Sequence, residues 1–295
     1  MANRSDIKRR IGSVEGTKKI TNAMKLVAAS KFAKAVQAVV SSRPFSSSFK
    51  KMFDELIHHN TEDISSPFLR QVDKEKKVIL IVVSSDKGLC GSINTNLFKF
   101  ARSWIDEKRK ENITVDLMTW GKKATSFFSK RKENVLSSKE GILNKIDYTN
   151  ASSYIQEFSN LFIDETAGYD GVYICFTEFR SALYQVPKLI KLLPFSFDET
   201  SSPKEGELNR IGKYKVEPLL STMIDTLILK KLAVEVLQVL LEVFASEQGS
   251  KMTSMDNATN NATELLKKLV LQYNRARQGA ITTELIEIVA GSQAL

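Results

Sequence analysis

Breaks are scarce in this chain: six prolines and 13 glycines in 295 residues. That favours long helices with few interruptions. Cysteine and histidine are scarcer still, with two of each. Cys90 and Cys175 stand in no C-x-x-C, His58-His59 reads as a solvated helix end, and no cluster offers a metal site. The two thiols are expected to be reduced groups of an intracellular core. No uncharged apolar run reaches the ~18 residues that span a bilayer. The greasiest stretch, Leu219 to Phe244, is broken by Asp225, Lys230, Lys231, Glu235 and Glu242. Neither G-x-x-x-x-G-K-[ST] nor G-x-G-x-x-G occurs. With no catalytic base, nucleophile or metal constellation to read, the sequence predicts no catalytic residue, no cofactor and no metal.

Acid is almost missing from the start of the chain. Residues 1–51 carry twelve Lys or Arg against Asp6 and Glu15, a net charge of +10, and the whole chain carries +9. The rest therefore sums to −1, so the basic character belongs to one segment, and that segment should face something acidic. Its core, Met24-Lys-Leu-Val-Ala-Ala-Ser-Lys-Phe-Ala-Lys-Ala35, is apolar, alanine-rich and punctuated by lysine. A cleaved targeting peptide, a nucleic-acid arm and a partner-binding helix all share that description.

What is present is periodicity. From Ser5 to about His58, apolar residues recur at Ile7, Ile11, Val14, Ile20, Met24, Val27, Phe32, Val36 and Val39, mostly three or four apart, which predicts a helix. Gly12, Gly16 and Pro44 make it imperfect. The middle changes character. Lys77 to Ser84 and Gly171 to Phe176 are short β-branched runs of buried-strand type, and Ile113 to Trp120 reads as a third strand. Val186 to Phe197 and Ile211 to Val216 are weaker strand candidates. Helical spacing covers Asn94 to Glu111, Gly121 to Lys132 and Tyr154 to Thr166, and the polar stretch Asp198 to Asn209 reads as a surface loop. Strands alternating with helices predict an α/β domain with a mainly parallel sheet.

From about Glu217 the pattern is helical nearly to the end. At 1.5 Å per residue the terminal helices would reach roughly 80 Å and roughly 110 Å. An isolated helix of that length cannot bury its apolar stripe, so the two are expected to pair. Small residues, Ala23, Ala28, Ala29, Ala33, Ala35 and Ala38 on one side and Ser250 to Thr263 on the other, suit a close approach. The predicted fold is a long antiparallel coiled coil of N- and C-terminal helices with an inserted Rossmann-like α/β domain. Its parts are 1–60, 75–200 and 215–290.

Three stretches, in this order, resemble the gamma subunits of F-type ATP synthases. Ile7-Lys-Arg-Arg-Ile-Gly-Ser-Val-Glu-Gly-Thr-Lys-Lys-Ile-Thr-Asn-Ala-Met-Lys-Leu-Val-Ala-Ala-Ser-Lys31 is similar to the family's opening helix. Ser84-Ser-Asp-Lys-Gly-Leu-Cys-Gly-Ser-Ile-Asn-Thr-Asn96 is similar to its central strand-turn motif. Ser246-Glu-Gln, Ser254-Met-Asp-Asn-Ala-Thr-Asn-Asn-Ala262 and Tyr273-Asn-Arg-Ala-Arg-Gln-Gly-Ala-Ile-Thr-Thr-Glu-Leu-Ile-Glu-Ile-Val-Ala-Gly291 are similar to its closing helix. The resemblance implies a rotating central stalk that couples a turning c-ring to the catalytic head and performs no chemistry itself. It further implies contact of Met24 and Lys25 with an acidic loop of the beta subunits, and contact of Lys251, Gln278 and Thr282 with the alpha and beta subunits. The foot would sit on the membrane c-ring beside epsilon or delta.

The departures are small. Ser92-Ile93 stands where the family usually has Gly-Phe, Lys251 where many members have arginine, and Gly279 follows Gln278 in place of a better helix former. The cysteine-bearing insert of plastid members is missing. Asparagine, lysine and serine usage points to the matrix side of a mitochondrial inner membrane, with the cytoplasmic side of a bacterial plasma membrane as the alternative. Two other classes compete. An α/β enzyme using Asp86-Lys-Gly-Leu-Cys-Gly91 for a nucleotide lacks a phosphate loop, and a basic nucleic-acid binder lacks interleaved aromatics and any known module. No nucleic-acid partner is expected.

Overall fold

The computed structural model describes residues 4–58, 66–70, 72, 74–195 and 220–293. The strand candidate at 211–216, the loop at 198–209 and His59 lie outside them. Two helices frame the chain, α1 (Arg4–His58) and α5 (Leu220–Gln293). Between them come a 3-10 turn (Pro67–Leu69), β1 (Lys77–Val83), α2 (Ile93–Lys110), β2 (Thr114–Trp120), α3 (Lys122–Ser129), β3 (Val135–Lys139), α4 (Tyr148–Ile163), β4 (Gly171–Phe179) and β5 (Gln185–Leu193). The long-helix and α/β expectations hold. Contacts group the chain into two compact units, residues 1–30 with 251–295, and residues 31–250.

The larger unit is built on a five-stranded sheet of order β3-β2-β1-β4-β5. β1 pairs in parallel with both β2 and β4, β2 pairs in parallel with β3, and β5 closes the edge antiparallel to β4. The central strand is buried from Val78 to Val83, as expected where both faces are covered. On one face Val78, Leu80 and Val82 meet Leu97, Ala101 and Ile105 of α2 and Phe128 of α3. On the other, Ile79, Ile81 and Val83 meet Ile155, Phe158 and Phe162 of α4 together with Ile228, Leu232, Val236 and Leu240 of α5. The part of α5 up to Ser250 is thus a layer of this domain. Within the same unit Ala35 and Val39 of α1 pack on Ala245, and Ser42 donates to Gln238 Oε1 at 2.6 Å.

Two elements differ from the sequence expectation. β3 carries only Val135 and Leu136 as apolar residues, and an edge strand half open to solvent needs no more. α4 begins at Tyr148, six residues before its apolar pattern, because Asp147 accepts from the Asn150 N–H at 2.8 Å and caps the first turn. The helix expected from Ser5 to about His58 is present, and α1 runs through Pro44 without a break.

Both cysteines are buried thiols outside any disulfide. Burial pushes the Cys175 thiol up to about 12, and Cys90 sits beside Asn94 Nδ2 at 3.3 Å. At pH 8 an aromatic disulfide reagent should label neither in the native protein and both after denaturation in urea. Stoichiometric labelling of either before unfolding would contradict that burial.

Candidate partner-binding surface

The smaller unit is a pair of helical segments. Thr21 Oγ1 and Thr259 Oγ1 lie 2.8 Å apart, and Lys25 Nζ lies 2.6 Å from Asp256 Oδ1. One number rises as the other falls, so the pairing is antiparallel. The buried positions repeat every seven residues. On α1 they are Ile7, Thr21 and Ala28, with Val14 half-buried between them. On α5 they are Met255, Ala262 and Leu269. Four places on from Ile7, Val14 and Thr21 sit half-buried Ile11, Lys18 and Lys25, and four on from the buried α5 residues sit half-buried Thr259, Leu266 and Tyr273. A period of seven keeps a straight seam only if the helices wind about each other in a left-handed supercoil.

This seam corrects the apolar face read from the sequence. Ile20 and Val27, expected to be inward, are exposed at 62% and 59%. They lie one position away from Thr21 and Ala28, which take the buried places. Near residue 24 the contact is therefore made by small and polar side chains, while three large apolar ones, Ile20, Leu26 and Val27, face solvent.

The five residues singled out from the resemblance fall into separate places. Met24 and Lys25 are half-buried on α1, and Lys251 is half-buried on α5. Gln278 and Thr282 are exposed, one turn apart, with the Thr282 hydroxyl donating to the Gln278 carbonyl at 2.9 Å. Lys25 differs from its sequence reading. No acid within α1 competes for it, but one on the facing helix holds it. Sequence reasoning missed Asp256 because nothing in one segment announces its register against another 231 residues away.

It also missed an apolar tip. The register of the pair carries Arg4, the first described residue of α1, to about residue 276 of α5. Beyond it every described residue from Ile281 to Ala290 is exposed, including Ile281, Leu285, Ile286, Ile288 and Val289. Five large apolar side chains along one short stretch of exposed helix mark a contact surface. The visible signal was an apolar run lying past the end of its helical partner.

In the larger unit, the turn after β1 satisfies itself. The first three N–H groups of α3 are taken in turn by Asp86 Oδ1 (Lys122 N, 2.9 Å), the Ser85 carbonyl (Lys123 N, 3.2 Å) and Ser84 Oγ (Ala124 N, 2.9 Å). Asn94 returns to Ser85, accepting from its N–H at 3.3 Å and donating to its Oγ at 2.8 Å. α5 adds two more bonds. Ser250 Oγ donates to the Cys90 carbonyl at 2.6 Å and Ser246 Oγ to the Thr177 carbonyl at 3.3 Å. These carbonyls lie in the turn that follows β1 and near the carboxyl end of β4, on the side where the strand order reverses and ligands of open α/β sheets bind. Here the crevice is filled by the protein's own helix. Helix N–H groups that would greet a phosphate already have acceptors, so Asp86 is a capping group and the nucleotide-enzyme alternative loses its site.

A family model described as ATP synthase matches residues 3–295. The chain is 40% identical over 295 residues to the ATP synthase gamma chain of Geobacter metallireducens, covering 100% of this chain and 99% of that one. It is 36% identical over 305 residues to the ATP synthase gamma chain of Chloroherpeton thalassium, again at 100% and 99%. Among solved structures it is similar to a chain of the central stalk and c-ring of the Tetrahymena thermophila mitochondrial ATP synthase. That match has a TM-score of 0.61 and 28% identity, covering 81% of this chain and 99% of that one. A chain of the Euglena gracilis mitochondrial ATP synthase shares the fold at TM-score 0.67 and 20% identity, covering 99% and 95%.

Proposed function

The chain belongs to the family of ATP synthase gamma chains, and from that premise we propose that it is the rotating shaft of a proton-translocating F-type ATP synthase. It transmits rotation of a membrane c-ring to a catalytic head of alpha and beta subunits and carries out no bond chemistry. The observation that carries this reading is the exposed apolar tip, Ile281 to Val289. A sleeve of protein around that tip removes its apolar surface from water, while the absence of fixed pairing lets it turn. Met24, Lys25, Lys251, Gln278 and Thr282 meet the alpha and beta subunits along the way. The larger unit carries the contacts to the c-ring and to epsilon or delta.

The basic segment fits this arrangement better than it fits nucleic acid. Lys18, Lys19, Lys31 and Lys34 have no acidic partner among the described residues, and a moving acidic surface meets each of them in turn. No described helix is long and apolar enough to cross a membrane. The rotor therefore attaches to its energy-transducing membrane as a peripheral subunit. The relatives at 36–40% identity are bacterial, which favours the cytoplasmic face of a plasma membrane over the mitochondrial inner membrane suggested by composition.

Reconstitution tests the proposal. The purified chain alone should hydrolyse no ATP. Mixed with alpha and beta subunits of a bacterial relative, it should enter a stable complex and raise the ATPase rate above that of alpha and beta alone. Turnover by the isolated chain that survives removal of contaminating subunits would overturn the proposal, as would failure to join the head.

A further inference from the structure

Of the lysines at 18, 19, 25, 31 and 34, only Lys25 has an acidic partner among the described residues. Its ammonium lies 2.6 Å from Asp256, and the two side chains keep 37% and 43% of their surface in solvent. The pair is neither sealed in the seam nor loose on the surface. One turn away, the Thr21–Thr259 contact at 2.8 Å fixes the register that brings them together. Thr21 gives its hydroxyl proton to the Lys18 carbonyl, so Thr259 is the donor across the pair, its one proton shared between Thr21 Oγ1 and its own Met255 carbonyl. Asp256 is therefore delivered to Lys25 by a built contact.

We propose that Asp256 is a positioning residue for Lys25, an internal counter-ion that weakens the hold of any external carboxylate on this lysine; the inference rests on the rotor reading above. A bare ammonium attracts a passing carboxylate as a point charge, over about a Debye length. An ammonium already facing a carboxylate presents a dipole, whose attraction is weaker and shorter in range. Partly exposed ion pairs are weakly held, so Lys25 can still lean towards an outside acid and return. Asp256 thereby makes a sticky contact into an exchangeable one. On a shaft that must leave each position it reaches, a shallow well shortens the dwell.

The test uses the complex reconstituted with alpha and beta subunits. Asp256→Asn should assemble, yet its ATP turnover at low ionic strength should fall about threefold and recover at about 0.5 M salt, where the Debye length is only a few ångströms. Adding Lys25→Gln should remove the salt dependence of turnover, and Asp256→Glu should behave as the original chain. A loss that salt does not relieve overturns the proposal, as does an unchanged rate. So does a Lys25→Gln single variant that is slowed as much as Asp256→Asn, because a mere staple between helices fails equally from either side. If Asp256→Asn does not assemble and the exchanged pair Lys25→Asp with Asp256→Lys does, the contact is structural and the proposal again falls. Failure of the unaltered chain to assemble would instead remove the rotor reading itself.

Discussion

Gly121→Ala should leave the larger unit unable to hold its native sheet. β2 ends at Trp120, and Gly121 turns the chain into α3 with φ 106° and ψ 138°. L-residues with a side chain rarely adopt that conformation. Space is the harder limit. A Cβ on Gly121 would lie 2.2 Å from the Ser84 carbonyl oxygen and 2.8 Å from both the Ser84 carbonyl carbon and Oγ. None of these atoms can yield. The Ser84 N–H donates to the Trp120 carbonyl at 2.7 Å, its Oγ caps α3, and the Gly121 N–H donates to the Lys139 carbonyl at 2.7 Å. Backbone strain and displacement of three elements together should cost at least about 3–4 kcal/mol, against a typical total of about 5–15. The variant should be largely insoluble, or should melt ten degrees or more below the original. Gly12→Ala is the control: a Cβ there has nothing within 4 Å, and an exposed helical site gains about 0.5–1 kcal/mol from the change. A Gly121→Ala midpoint within two degrees of the original would show that the turn adapts.

Deleting residues 251–295 should separate the two units functionally. The larger unit keeps α5 as far as Ser250, including Ile228, Leu232, Val236 and Leu240 against the sheet, so its core survives. The smaller unit loses one of its two helices. Ile7, Val14, Thr21 and Ala28 then have no facing seam, and a lone segment of that length with Gly12 and Gly16 in it is marginal in water. Amide exchange across residues 4–30 should rise to nearly that of an unfolded peptide, while β1 and β4 stay protected. Association with alpha and beta subunits should be lost, because the apolar tip and most of the predicted contact residues are gone. Persistent protection of residues 4–30 in the truncated chain would mean that α1 does not depend on α5. Removal of residues 290–295 alone should be mild, since the exposed apolar stretch ends at Val289.

The elements that showed themselves in the sequence did so by chemistry that needs no partner. β1 is seven residues of which six are apolar, and burial on both faces permits nothing else. β3 has the opposite character, two apolar residues before Ser137 and Ser138, because an edge strand is asked for little. The terminal helices were plain from their spacing, but their inner face was not. Reading steps of three and four placed Ile20 and Val27 inside, whereas the seven-residue seam chose Thr21 and Ala28. Hydrophobicity names a core face only where large side chains fill it. Where two backbones come close, a threonine or alanine fits and an isoleucine does not. The partner-contact residues themselves came from resemblance, and their ion pairing came only from the register between two distant segments.

The two serine bonds from α5 to the turn after β1 and to the end of β4 have a mechanical meaning. A shaft under load must pass its strain into the body that holds it. Here the grip is on β4 itself and on the turn that follows β1, and both strands are inner strands of the five-stranded sheet, each flanked by a neighbour on both sides. Tension arriving through Ser246 and Ser250 is divided among several rows of hydrogen bonds that must yield together. The same two hydroxyls placed on β3 or β5 would have pulled on an edge, where a ladder opens one rung at a time. The crevice that other doubly wound proteins keep open for a ligand serves here as a clamp.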